Sequence, residues 1–96
     1  MRPSEALKKK RDEVLAIIAR YPVANPRVFG SVARGEDVEG SDVDLLVDHF
    51  GTISYIDLAR MEMQLEAVLG VPVGVHTPGE FGTKALRRVS DDQRTL

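Results

Sequence analysis

Apolar residues recur along this chain with two different periods. Leu7, Val14, Leu15, Ile17 and Ile18 fall mostly on one side of a helix. They predict one long helix through "SEALKKKRDEVLAIIARY", capped by Ser4 and ended by Pro22. Pro22 and Pro26 mark a turn region, and "RVFG" reads as a short strand closing at Gly30. "SVARG" is one helical turn stopped by Gly35, and "EDVEG" is a polar loop. "SDVDLLVDH" reads as a strand. "ISYIDLARMEMQLEAVLG" is a second long helix, with Ser54 as N-cap and Gly70 as its stop. "VPVGVHTP" is a third strand, and Pro72 at its start places it at a sheet edge. "GEFGTKALRRV" forms a last helix, and the polar tail "SDDQRTL" is expected to fray.

This order predicts an α/β (α+β) fold: a small mixed sheet of about three strands flanked by helices. With no repeat, low-complexity stretch or linker, residues 1–96 read as one domain. Charged residues make up 29% and net charge is −2, so no basic field exists to hold nucleic acid. There is no Trp for a stacking platform, which also argues against direct nucleic-acid binding. No Cys is present, which excludes disulfides and thiolate metal sites and fits a reducing compartment. The charged N-terminus is unlike a signal peptide and no apolar run suits a bilayer, so a cytoplasmic location without membrane contact is expected. The run Lys8–Arg11 reads as a solvated helix face rather than a phosphate patch.

One feature departs from an ordinary core strand. Alternation puts Asp42, Asp44 and Leu46 on one face and Val43, Leu45 and Val47 on the other. Two carboxylates so placed, roughly 6–7 Å apart at Cα, repel each other when both are charged. A divalent cation relieves that cost. Magnesium suits it, because it takes hard oxygen ligands and retains waters for substrate phosphates. Upstream, a strand ends at Gly30 and turns into a helix at Ser31, which exposes backbone N–H groups to an anion. Arg34, one turn on, could reach a phosphate or pair with Glu36, Asp37 or Asp42. Asp48 is expected to face solvent or a loop, and His49 to lie at the surface.

Gly-Ser, a spacer of ten, then Asp-x-Asp in "GSVARGEDVEGSDVDLLV" resembles the signature of polymerase-beta-type nucleotidyltransferases. Length and segment order are similar to the minimal nucleotidyltransferases, many of which are antitoxins paired with a HEPN-domain toxin. The resemblance implies that Gly30, Ser31, Arg34 and Ser41 bind the nucleotide, most often ATP. It implies that Asp42 and Asp44 are catalytic and hold two Mg2+ ions. AMP would pass from ATP to a tyrosine hydroxyl of the partner toxin, with pyrophosphate leaving. A homo-oligomer is left open.

The family's third carboxylate lies on the last strand, where aligning Leu-Gly and Thr-Pro leaves Gly74 in this chain. His76, two residues on, projects from the same strand face and could serve as a compensating base. Two readings follow: an active Mg-dependent enzyme, or a degenerate antitoxin that binds nucleotide and neutralises its partner by contact alone. The apolar long helix serves chiefly the core, with part of it available to a partner.

Overall fold

A computed structural model describes residues 1–96. The helices are α1 (Pro3–Lys9), α2 (Arg11–Ile18), α3 (Ser31–Arg34), α4 (Tyr55–Leu69) and α5 (Thr83–Asp92). The strands are β1 (Val23–Phe29), β2 (Val43–His49), β3 (Val73–His76) and β4 (Arg94–Thr95), with a 3-10 turn at Pro78–Glu80. The sheet order is β3-β2-β1-β4. β2 and β3 run parallel, joined by α4 as the crossover that parallel strands require. The β1 pairings with β2 and β4 are antiparallel.

The period-two pattern of β2 becomes a two-sided sheet. Val43, Leu45 and Val47 are fully buried in a core shared with Val28, Val73 and Val75 of the neighbouring strands. Val14 of α2 and Met61 and Leu65 of α4 close it from above. The other face carries Phe29, Asp44, Gly74 and His76, in register across β1, β2 and β3. Leu46 and Val89 are buried outside the main core cluster, so part of this second face is also covered.

Four expectations require correction. The first long helix is two helices, because Lys10 leaves helical geometry at φ −105°, ψ 16°. Its N-cap is Arg2, not Ser4. No Gly or Pro marks this break in the sequence; tertiary packing of both halves on one core imposes it. The supposed turn around Pro26 lies inside β1, which begins at Val23. Pro26 cannot donate to the ladder, so the strand bulges between Ala24 and Arg27 with Asn25 at φ 53°. The tail does not fray: α5 continues to Asp92 and β4 adds a fourth strand beside β1. Asp48 keeps half of its side chain in solvent, as expected, and accepts from Arg27 Nη2 at 3.1 Å. Arg27 also donates to Gln93 and to the Asn25 carbonyl, so one buried guanidinium ties β1, β2 and the end of α5.

Ser4 has another use. Its amide donates to Asp37 Oδ2 at 2.8 Å, so a distant carboxylate satisfies an open N–H of α1. Burial pushes the Asp37 carboxyl up, but donation from Ser4 and from its own backbone outweighs this and holds it below the usual range. A depressed folded pKa stabilises above the unfolded value and loses its effect as pH falls through the folded one. Asp37→Asn is expected to unfold less steeply below about pH 4, read from melts against pH. Asp37→Ala should cost about 1–2 kcal/mol at neutral pH. Identical acid profiles for wild type and Asp37→Asn would remove this account.

Candidate functional site

Gly30 is the N-cap of α3 at φ 74°, ψ −152°, a backbone region almost confined to glycine. Its neighbour across the sheet explains a second constraint. Phe29 pairs with Asp44, and a Cβ placed on Gly30 would lie 2.9 Å from Asp44 Oδ2. The missing side chain therefore lets the carboxylate rest against the turn. Ser31 opens α3, and Gly35 ends it in the left-handed conformation at φ 71°. Gly30→Ala is expected to lower stability by about 1–3 kcal/mol, with a fall in thermal midpoint of roughly 4–8 °C per kcal/mol. An unchanged midpoint would show that neither the backbone nor Asp44 constrains this position.

Asp42 lies one residue before β2 rather than within it, because pairing begins at Val43. It is exposed and makes no hydrogen bond with the chain. Ser41 Oγ accepts from the Val38 amide at 3.0 Å and so shapes the loop that delivers Asp42. Asp44 is half-buried. Arg34 reaches both Glu36 at 3.3 Å and Asp92 at 2.6 Å, joining α3 to the end of α5. The bond to Asp92, first among several influences, holds its pKa above the ordinary value. Of the pairings open in the sequence, Glu36 is realised, Asp37 and Asp42 are not, and Asp92 is added.

His76 is the most constrained group on this face. Its Nδ1 lies 3.0 Å from Glu80 Oε2 and its Nε2 lies 3.8 Å from Asp44 Oδ1. Phe29 and Phe81 flank the ring at centroid distances of 5.6 and 5.8 Å. Asp44 and then Glu80 favour the charged form against partial burial, which raises the pKa to about 9. A proton on His76 is therefore favoured as long as Asp44 and Glu80 face it without a cation between them. It also fills the space over Gly74, where a Cβ would lie 2.8 Å from His76 Nε2 and 3.4 Å from Asp44 Oδ1. Glu80 is the residue that the sequence reading missed. Its signal was present in "TPGE", a Thr-x-x-Glu capping pattern, and Glu80 Oε1 accepts the Thr77 amide at 3.1 Å. His49 is exposed, as expected, beside the Gly51 carbonyl.

The fold thus brings the Gly30–Ser31 turn, Asp44, Gly74 and His76 onto one face of the sheet, with Asp42 at its rim. Residues 7–95 match the nucleotidyltransferase domain family. The chain belongs to that family. A nucleotidyltransferase-fold chain assigned as a minimal nucleotidyltransferase superimposes with a TM-score of 0.84 at 38% identity, over 97% of this chain and 95% of that one. MJ0435 of Methanocaldococcus jannaschii, whose name assigns it protein adenylyltransferase activity, is 40% identical over 65 residues, 68% of this chain and 70% of the relative. The protein adenylyltransferase MntA of Thermococcus cleftensis is 46% identical over 54 residues, 56% of this chain and 54% of MntA. A toxin–antitoxin structure with AMP-PNP shares the fold at a TM-score of 0.77 and 17% identity, over 88% of this chain and 69% of that one. The nucleotidyltransferase fold expected from the sequence is the one found, with the sheet one strand wider.

Proposed function

We propose that this nucleotidyltransferase transfers AMP from ATP to a tyrosine hydroxyl of a partner HEPN-domain toxin and so acts as an antitoxin. The observation that carries the proposal is the seat of Asp44 against Gly30, which unites the phosphate turn with the acidic strand. The names of the adenylyltransferase relatives and the fold shared with toxin–antitoxin complexes support the same reading.

The donor set suits magnesium. No three His, Asp or Glu side chains form an all-protein cage. Magnesium asks for one or two carboxylates and completes its shell with water and phosphate oxygens. Asp42 and Asp44 would hold it. When bound, it would neutralise charge on the phosphates and acidify the attacking hydroxyl. Gly30 lets the phosphates approach the main chain, and the first N–H groups of α3 with Ser31 Oγ can donate to them. Ser41 fixes the loop that sets Asp42. A phosphate contact by Arg34 requires it to give up Asp92.

The test is transfer of label from ATP carrying radioactive α-phosphate to a HEPN-domain partner in magnesium. Labelled partner is expected. No transfer with any divalent metal would falsify this reading.

His76 favours a second one. At Gly74, where the family resemblance leads us to place the third carboxylate, His76 held by Glu80 leans toward Asp44 instead. Either this pair compensates for the lost acid, or the chain protects by contact alone. If the doubly substituted Asp42→Asn, Asp44→Asn protein still neutralises its partner, contact suffices. If partner binding persists and protection is lost, transfer is required.

A further inference from the structure

Beside the nucleotide face lies a group of charges that neither the fold nor the proposed chemistry uses. Lys84, Arg87 and Arg88 stand at i, i+3 and i+4 on α5, all exposed, and none of their side chains makes an ion pair or hydrogen bond within the chain. With Thr83 and Asp91 they line an open, shallow groove of about 370 Å³ along one side of α5, with no hydrophobic residue among them and no second element facing them. From Thr83 to Ser90 there is no acidic residue, in a chain whose net charge is −2. Three like charges at this spacing repel and weaken the helix that carries them. An anionic occupant would reverse that cost.

The groove sits on a firm platform. The inner side of α5 is held by buried Val89, by the Arg34–Asp92 pair and by the Arg27–Gln93 hydrogen bond. Its start is next to the site: Phe81, two residues before α5, packs edge-on against Phe29 at 6.0 Å and against His76, which neighbours Asp44. A segment lying along α5 therefore leads to the acidic face.

We propose that this groove docks an acidic segment of the protein that supplies the acceptor hydroxyl. The proposal rests on the transferase reading and adds the chemistry by which the acceptor is held. A protein segment fits better than nucleic acid. Asp91 lines the same groove and would repel a phosphate backbone, no aromatic residue is there to stack a base, and the chain as a whole is acidic. A peptide can set an amide, a hydroxyl or a Lys against Asp91 while its carboxylates meet the three cations.

The test measures binding without nucleotide, so it does not depend on catalysis. Fluorescence anisotropy would compare a labelled peptide bearing one Tyr among Glu and Asp, the same peptide with Gln and Asn, and single-stranded oligouridine. The acidic peptide is expected to bind, and to weaken as salt rises. Combined Lys84→Glu, Arg87→Glu and Arg88→Glu should reduce its affinity about tenfold or more. The three corresponding Gln substitutions, which remove charge and retain helix propensity, should give an intermediate loss. Thermal melts check that both variants fold. Equal binding of acidic and neutral peptides, or no loss in either folded variant, overturns the proposal. Tighter binding of oligouridine that is lost on charge reversal overturns it in favour of a nucleic-acid surface. Label transfer that persists while the acidic peptide fails to bind would reject only the groove; binding without transfer would reject only the transferase.

Discussion

Asp44→Asn is expected to reduce AMP transfer to the partner by about 10³-fold or more, equivalent to roughly 4 kcal/mol of barrier. The amide keeps the size of the carboxylate and its place against Gly30, so the packing at this point is retained. What it removes is the negative charge for a cation and the partner of His76 at 3.8 Å. That pair is partly exposed, so its loss should alter stability by no more than about 1 kcal/mol. A melt shifted by a few degrees, beside transfer lowered a thousandfold, separates chemistry from folding. Asp42→Asn should follow the same direction with still less effect on the melt, because Asp42 is exposed and unpaired in the chain. Transfer that survives Asp44→Asn at near wild-type rate would remove Asp44 from the mechanism.

The second large effect concerns Gly74. Adding back an acid, Gly74→Asp, would by the resemblance alone restore a missing catalytic group. The geometry predicts a smaller gain. The new Cβ meets His76 Nε2 at 2.8 Å, so the imidazole must swing away. Any imidazolium that stays within reach would pair with the new carboxylate rather than leave it for a cation. Gly74→Asp combined with His76→Ala clears the space and removes the competing charge. This double variant is expected to transfer AMP about 10²-fold faster than wild type, the lower end of what a positioned base contributes. It also gathers acidic groups on one face without His76 among them. Its thermal midpoint should therefore be lower without magnesium and rise more steeply with magnesium than that of wild type. If the double variant shows neither faster transfer nor a larger magnesium shift, His76 and Glu80 already do what the acid would do. A rate that falls when His76→Ala or Glu80→Gln is made alone would support that outcome.

The parts of the site written in short local patterns were legible. Gly30–Ser31 and Asp42-x-Asp44 stand at fixed spacing, and Ser54 and Gly70 bound α4 as their cap chemistry requires. Glu80 was readable only as a capping residue. Nothing near it in sequence indicates that its second oxygen would hold His76. Arg34 shows the same limit: Glu36 is two residues away and was named, while Asp92 is brought to it only by α5 folding back across the sheet.

By itself, the sequence determined the alternating β2 strand, the turn that needs glycine, the two carboxylates and the family they mark. Each depends on neighbours within a few residues, where backbone geometry and side-chain period act directly. The tertiary structure alone decided the break at Lys10, the extension of β1 back through Pro26 to Val23 and the fourth strand formed by the polar tail. It alone decided that His76 leans over Gly74 toward Asp44, between two aromatic rings and held by Glu80. Those outcomes depend on contacts between residues distant in the chain, and pairing across a sheet is set by how the whole core packs rather than by any local preference.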